Sequence, residues 1–428
     1  MRALVVGSDG RSHTLAWALQ RSASADEVTA APGNPGVAAM GARCVPVDPT
    51  DPGAVAKVAS DLDVDLVLVS AEQPLVNGVV DAVEARGVPA FGPTAAGARL
   101  EGSKAWMKEV LAEAGVPTAR HRAFAADEED RALAFLEDMP GLYVVKTDGL
   151  AQGKGVTVTE DLAEARDAVR RYLSGEAFGD AGRTLVIEEG LTGPELSLLV
   201  VCNGTTDGWP LAPAQDFKRI GDGDRGPNTG GMGAYSPVPF VDGALVEQVM
   251  ESAVRPTLRE LTRRDIAYKG VLYAGLMLTP DGPKVLEYNV RFGDPEAQVV
   301  LPRLAGDFVQ LCRAAASGSS DLEVRFRDDA CVTVVLATEG YPAAPRRGDA
   351  ISGIGEAEEL PGVIVFHAGT AERDGELVTA GGRVLDVTAV APTLVEARQR
   401  AYEAAARISW PGVQYRRDIA AEAASRTT

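Results

Sequence analysis

Histidine is scarce in this chain, with three residues among 428, and cysteine hardly less so, with four. The cysteines stand at 44, 202, 312 and 331, far from one another, with no CxxC and no Cys/His cluster. That spacing indicates neither a zinc site nor a disulfide framework, and leaves thiols suited to a reducing compartment. His13, His121 and His367 lack suitably spaced partners, so no histidine chemistry is required, and His121 and His367 read as structural. No apolar run approaches the ~20 residues of a membrane span. The apolar start at residues 3–6 is too short for a signal-peptide core. A soluble, cytoplasmic protein with no membrane partner is therefore expected. Basic residues are also in deficit, 42 Lys and Arg against 61 Asp and Glu, a net charge of -19. Such a field repels phosphate backbones, and with no basic patch in the sequence no nucleic-acid partner is expected. Local cations still permit a small anionic ligand.

Hydrophobic residues make up 46% and charged residues 24%, which excludes bulk disorder and suits large buried cores. The length suggests two to four domains. Residues 3–6 read as a buried strand that breaks at Gly7-Ser8-Asp9-Gly10, followed by a helix over 12–21. A strand over 65–70, a helix over 78–86 and a strand and turn over 88–93 continue the alternation. Such alternation argues for an open parallel α/β sheet, with ligands beyond the carboxyl ends of its strands. A helix over 104–114 then precedes strands over 143–146, 184–189 and 284–288, separated by glycine-rich loops. Six glycines in residues 221–233 are too many for a helix interior. After Ser317-Gly318-Ser319-Ser320, a small α+β unit is expected: a strand over 331–337, hairpins at 374–375 and 381–382, and a helix over 394–405. Residues 420–428 read as a frayed tail. The expected domains are 1–102, 103–318 and 319–428.

Lys146 ends a strand and leads into Gly149 and then Gly153-Lys154-Gly155. A strand lysine before a flexible Gly/Lys loop suits a triphosphate, since the cation neutralises charge while the loop closes as a lid. No Walker A pattern is present, and an exposed hairpin is the plainer reading. Gly7–Arg11 opens a helix and could hold a phosphate, or be a tight turn. Glu188-Glu189 ends an apolar strand, and only one of the pair faces a given pocket. Glu287, Asn289 and Arg291 alternate, so a continuing strand projects all three from one face. Glu and Asn are hard oxygen ligands for Mg²⁺, and Arg291 would face a transferring phosphoryl group. Asp216-Phe217-Lys218-Arg219 precedes the glycine-rich loop, a pattern suited to an acyl phosphate or to a plain surface loop.

Longer stretches carry a resemblance: APGNPG (31–36), LEGSKAW (100–106), VVKTDGLAQGKGV (144–156), GDGDRGPNTGGMGAYSP (221–237), NVRFGDPEAQ (289–298) and YRRDI (415–419). Over nearly its full length the chain resembles the glycinamide ribonucleotide synthetase family of the ATP-grasp superfamily. The resemblance implies an α/β enzyme with an amino-terminal open parallel (pre-ATP-grasp) domain, a two-lobed ATP-grasp domain and a small α+β carboxyl-terminal domain. It implies ligation of glycine to 5-phosphoribosylamine with ATP and Mg²⁺ (or Mn²⁺), in purine biosynthesis. Lys104 and Lys146 would contact the ATP phosphates under a lid of Gly153, Lys154 and Gly155. Glu188, Glu189 and Leu191 would read adenine, and Glu195 the ribose. Glu287 and Asn289 would hold the metal, with Arg291, Lys218 and Asp294 catalytic. Gly7, Gly10, Arg11, Glu72, Asp216, Asn228, Thr229 and Gly231 would bind the other substrates. A monomer is expected, with a dimer as the alternative. The chain departs from the family's usual residues at Ser12 (Glu), Ser70-Ala71 (Gly-Pro), Gly190 (aromatic) and Ala297 (Thr). Those departures keep open a second reading, a paralogous ligase for another amine or acid.

Overall fold

The computed structural model describes residues 1–150, 155–175, 184–321 and 323–426. Its amino-terminal part is a five-stranded parallel sheet in the order Arg43–Cys44, Glu27–Pro32, Arg2–Gly7, Leu66–Val69, Ala90–Phe91. The central strand is buried from Ala3 to Gly7, as an apolar run covered on both faces should be. The following helix, Gly10–Gln20, starts two residues earlier than the apolar pattern predicts, because Asp9 caps it. The Asp9 side chain accepts from the Ser12 amide at 2.9 Å, while Ser12 Oγ accepts from the Asp9 amide at 3.2 Å. The expected strand over 88–93 shrinks to Ala90–Phe91.

A small lobe follows, with antiparallel strands in the order His121–Ala125, Thr184–Glu189, Tyr143–Thr147, Val156–Thr159. Helices Glu129–Glu137 and Leu162–Leu173 cover it, and Phe124, Leu136, Val145, Val169 and Ile187 form an apolar core of its own. A second antiparallel sheet runs Gly208–Pro210, Glu195–Asn203, Lys269–Thr279, Gly282–Asn289. The cleft lies between these two sheets.

The carboxyl-terminal region does not build its sheet alone. Strands Ala330–Ala337, Arg383–Ala391 and Val363–His367 are extended by Gly233–Ser236 and Gln215–Asp216 from the middle of the chain. The turn at Asp374-Gly375 does join a hairpin, Thr370–Arg373 with Glu376–Thr379. Gly381-Gly382 does not: the strands on either side of it belong to different sheets. The expected frayed tail is also corrected, since Ala421–Arg426 is a helix with Ala423 and Ala424 buried beside Ile419 and Ala420. Among the described residues no helix is long and apolar enough to cross a membrane.

Candidate active site

Two adjoining cavities of about 1020 and 470 Å³ fill the cleft. They share the walls Asp216, Lys218, Asn228, Thr229, Tyr273 and Glu287, so these residues stand at a junction of two compartments. The larger one has apolar walls from Leu142, Val144, Val158, Met277 and Leu286, and a strand end at Glu188–Leu191 along one side. That combination suits a flat heterocycle against a backbone edge.

Strand alternation turns Glu188 inward and Glu189 outward. The Glu188 carboxylate is buried between two ammoniums, Lys108 Nζ at 2.8 Å and Lys146 Nζ at 2.9 Å. Burial opposes its ionisation, but the two cations prevail and hold it at about 2. At Lys108 burial outweighs Glu188 and draws the ammonium down to about 8. The Glu188 side chain therefore anchors lysines rather than reaching freely for a base. The Glu189 carboxylate accepts from the Arg120 amide at 2.9 Å on the outer side of the strand. Lys104, from the helix Lys104–Ala114, donates to the Gly149 carbonyl at 2.8 Å and lines the smaller compartment. Gly155 lines it too, whereas Gly153 and Lys154 lie outside the described residues.

At the junction, Lys218 Nζ contacts Glu195 Oε2 and Asp216 Oδ1, both at 2.7 Å. Burial works against that ammonium, yet the two carboxylates keep it protonated well above its ordinary range. Burial raises Asp216 to about 7 against the pull of Lys218, with Glu296 and Glu195 adding repulsion.

Glu287 and Asn289 share one face of the strand Gly282–Asn289. The strand ends there, but Arg291 still joins the row, donating to Asn289 Oδ1 at 3.1 Å. Its guanidinium also meets Glu101 Oε1 at 2.7 Å and Glu72 Oε2 at 3.3 Å. Arg11 reaches the same Glu72 oxygen at 3.2 Å and Asp9 at 2.7 Å, which ties the first loop to the row. Burial raises Glu101, whereas Glu72 is held at about 2 because Arg11 and Arg291 overcome its burial.

These depressed carboxylates set an acid limit. Glu188 and Glu72 lie near 2 when folded against an ordinary 4.5, so their stabilisation is complete above 4.5 and is lost as pH falls towards 2. Each loss is on the order of 3 kcal/mol. The urea midpoint should fall markedly between pH 5 and pH 3, and an unmoved midpoint would refute the pairings.

Several expected contacts belong elsewhere. Gly10 does not face the cavities: a Cβ there would meet Asp386 Oδ2 at 2.1 Å and Gln298 Nε2 at 2.8 Å. At Gly7, with φ +144, a Cβ would strike Ser70 Oγ at 2.0 Å and Ser12 Oγ at 2.5 Å. Both glycines permit close packing of neighbours on the side where a Cβ would stand. Gly231 backs onto Pro295. Asp294 borders the smaller cavity, but its Oδ2 pairs with Arg383 at 3.0 Å and its Oδ1 accepts from Gln298 at 2.6 Å. The buried Ser12 and Ser70 hydroxyls bond each other at 2.7 Å, so these two departures compensate one another beneath Asp9 rather than line the cavity. At Gly190, the Leu142 side chain occupies the space a Cβ would need, 2.0 Å away, and supplies the apolar wall. Ala297 is buried in the core.

Sequence reasoning missed Glu101, Lys108, Arg383 and Tyr273. Lys108 follows Lys104 at a helical spacing, which is a usable signal, whereas Glu101 lies on the preceding helix, Ala95–Gly102, across the extended Ser103. Arg383 and Tyr273 carry none without the fold.

With this geometry in place, comparisons with known proteins agree along the chain. Residues 1–101 match the N domain of phosphoribosylglycinamide synthetase, 102–297 its ATP-grasp (A) domain, and 331–422 its C domain. A phosphoribosylamine–glycine ligase of Streptomyces coelicolor is 49% identical over 99% of this chain and 100% of its own length. One from Brucella melitensis is 45% identical over 100% and 99%. The crystal structure of the Thermotoga maritima phosphoribosylamine–glycine ligase superposes with a TM-score of 0.85 at 34% identity, covering 98% of this chain and 100% of that one. A Hydrogenobacter thermophilus biotin carboxylase domain, complexed with MgADP, shares only the fold, at 17% identity and a TM-score of 0.72 over 97% of this chain and 91% of that one.

Proposed function

The chain belongs to the phosphoribosylglycinamide synthetase family, and on that premise we propose how its cleft works. It is an ATP-dependent ligase that joins glycine to 5-phosphoribosylamine, giving glycinamide ribonucleotide, ADP and phosphate, a step of purine biosynthesis. Full-length identity of 45–49% to ligases of this name favours that activity over a paralogue with another amine.

A carboxylate is a poor electrophile, so glycine first attacks the γ-phosphate of ATP to give glycyl phosphate, and ADP leaves. The larger compartment takes the adenine against Leu142, Val144 and Leu286, along the backbone of 189–191. Lys146, fixed by Glu188, and Lys104 face the phosphates. Glu287 and Asn289, one carboxylate and one amide oxygen on one face, fit Mg²⁺ or Mn²⁺ completed by phosphate oxygens. When bound, that ion withdraws charge from the phosphoryl oxygens. Lys218 and Arg291, from opposite sides of the junction, balance the acyl phosphate. The amine then attacks the acyl carbon, and Arg291 faces the oxyanion that forms. Arg11, Glu72, Asn228 and Thr229 border the compartment that takes the ribosylamine. Asp216, beside Lys218, stands where the glycine ammonium can be met.

The observation that carries this reading is the junction itself, where Lys218 and Glu287 border both compartments at once. ADP release should require glycine, and glycinamide ribonucleotide should form only when freshly generated phosphoribosylamine is added. ATP turnover indifferent to glycine would sink the assignment.

A further inference from the structure

The hairpin Arg219–Gly221 with Arg225–Asn228 walls the larger compartment through Arg219, Gly223 and Asp224, and its base, Lys218, Asn228 and Thr229, borders both compartments. Its two strands form a sheet by themselves, with no third strand among the described residues. A two-stranded ribbon is marginal unless something braces it. The brace comes from the carboxyl-terminal region. Arg416, 1% exposed, donates from Nη1 to Asp224 Oδ1 at 2.6 Å and to the Arg219 carbonyl at 3.1 Å. Its Nε and Nη2 grip Asp418 in a fork at 2.7 Å each, and Asp418 Oδ2 in turn accepts from the Gly223 amide at 2.8 Å. The Arg417 amide donates to Asp222 at 2.7 Å. The Arg416 guanidinium also stacks 4.9 Å from the ring of Phe217, the residue immediately before Lys218. At the hairpin's base the Thr229 amide donates to the Lys218 carbonyl at 2.7 Å, so tip and base form one body.

We propose that Arg416 is a positioning residue which, through Asp224, Asp418 and Phe217, holds the 219–228 hairpin as a partition that aligns Lys218 and Thr229 and keeps water from the acyl phosphate. This rests on the ligase reading above. When the partition is loose, water takes the place of the amine at the acyl phosphate. The acyl phosphate is cleaved to glycine and phosphate, and one ATP is spent with no amide bond formed. A planar fork is required, because an ammonium cannot span Asp418, Asp224 and the Arg219 carbonyl while lying flat on Phe217.

The test uses the full chain and the substitutions Arg416→Met, Arg416→Lys and Asp224→Asn, measuring ADP and glycinamide ribonucleotide in the same reaction. The wild type should release the two in equal amounts. Arg416→Met should release about threefold or more ADP per product, with the KM for ATP little changed, and Arg416→Lys should recover only part of the coupling. Amide exchange over 222–230 should accelerate about tenfold while that of the strand Glu195–Asn203 stays constant. Asp224, whose side chain is 69% exposed at φ +53, tolerates asparagine, so Asp224→Asn decides the matter should Arg416→Met fail to fold. Equal ADP and product in these variants, however slow, together with unchanged exchange at the hairpin, would overturn the proposal. A wild type lacking glycine-dependent ADP release would refute the ligase reading instead, while the exchange measurement would still judge the clamp.

Discussion

Substituting Glu287 with glutamine is expected to lower the rate of glycinamide ribonucleotide formation by roughly 10³-fold, the scale of several kcal/mol of charge stabilisation at a metal. Glutamine keeps the shape of the side chain and removes only its charge. That charge also acts on its neighbours, opposing the burial that lowers Lys104 and helping to keep Lys146 protonated. The variant should thus bind Mn²⁺ weakly in the presence of ATP, while its thermal midpoint stays close to that of the wild type. Asn289→Asp, which adds a carboxylate to the same face, should retain far more activity than Glu287→Gln. Near-normal turnover of Glu287→Gln in single-turnover experiments would remove the metal from this pair of residues.

Arg291→Met should cost about 10²–10³-fold in kcat, as loss of one donor to a developing oxyanion does elsewhere. A second effect accompanies it, because the guanidinium neutralises Glu101 at 2.7 Å and Glu72 at 3.3 Å in a largely buried setting. Leaving those carboxylates without it should destabilise the protein by roughly 3–5 kcal/mol. The two effects separate in the double variant Arg291→Met with Glu101→Gln, since residues in contact do not contribute additively. Urea unfolding should recover much of its midpoint in that protein, whereas turnover should stay as low as in Arg291→Met. Recovery of both together would make Arg291 a purely architectural residue.

The parts of this enzyme that could be read from sequence are those governed by local periodicity. The helices Lys104–Ala114 and Leu394–Ala405 fall where the pattern places them, capped by Ser103 and Thr393, and the strand Thr184–Glu189 is bounded as expected. The alternation of Glu287, Asn289 and Arg291 likewise put three side chains together without any knowledge of the fold. What stayed hidden depends on contacts distant in sequence. Gly7 and Gly10 have the texture of a phosphate loop, but what makes Gly10 necessary is Asp386, on a strand of the carboxyl-terminal region. Glu188 looked free to meet adenine because Lys108 approaches it from a helix eighty residues earlier. The last helix reads as a tail in the sequence because its buried side chains are alanines, too small to leave a visible apolar stripe.

The close packing of Gly10 against Gln298 and Asp386 has a consequence for how the molecule is made. A ribosome releases this chain from its amino terminus, and the parallel sheet of the first hundred residues can close early, as can the small lobe once Ile187 has emerged. The first loop keeps Ser70 and Glu72 of the same domain as partners, but its packing against Gln298 and Asp386 waits for later segments. The hairpin has no brace until Arg416 leaves the exit tunnel. Nascent chains halted just short of that point carry nearly every residue of the cleft but lack the brace of the hairpin. Termination just before Arg416 should therefore yield an enzyme that behaves as Arg416→Met does, spending ATP with less amide bond formed.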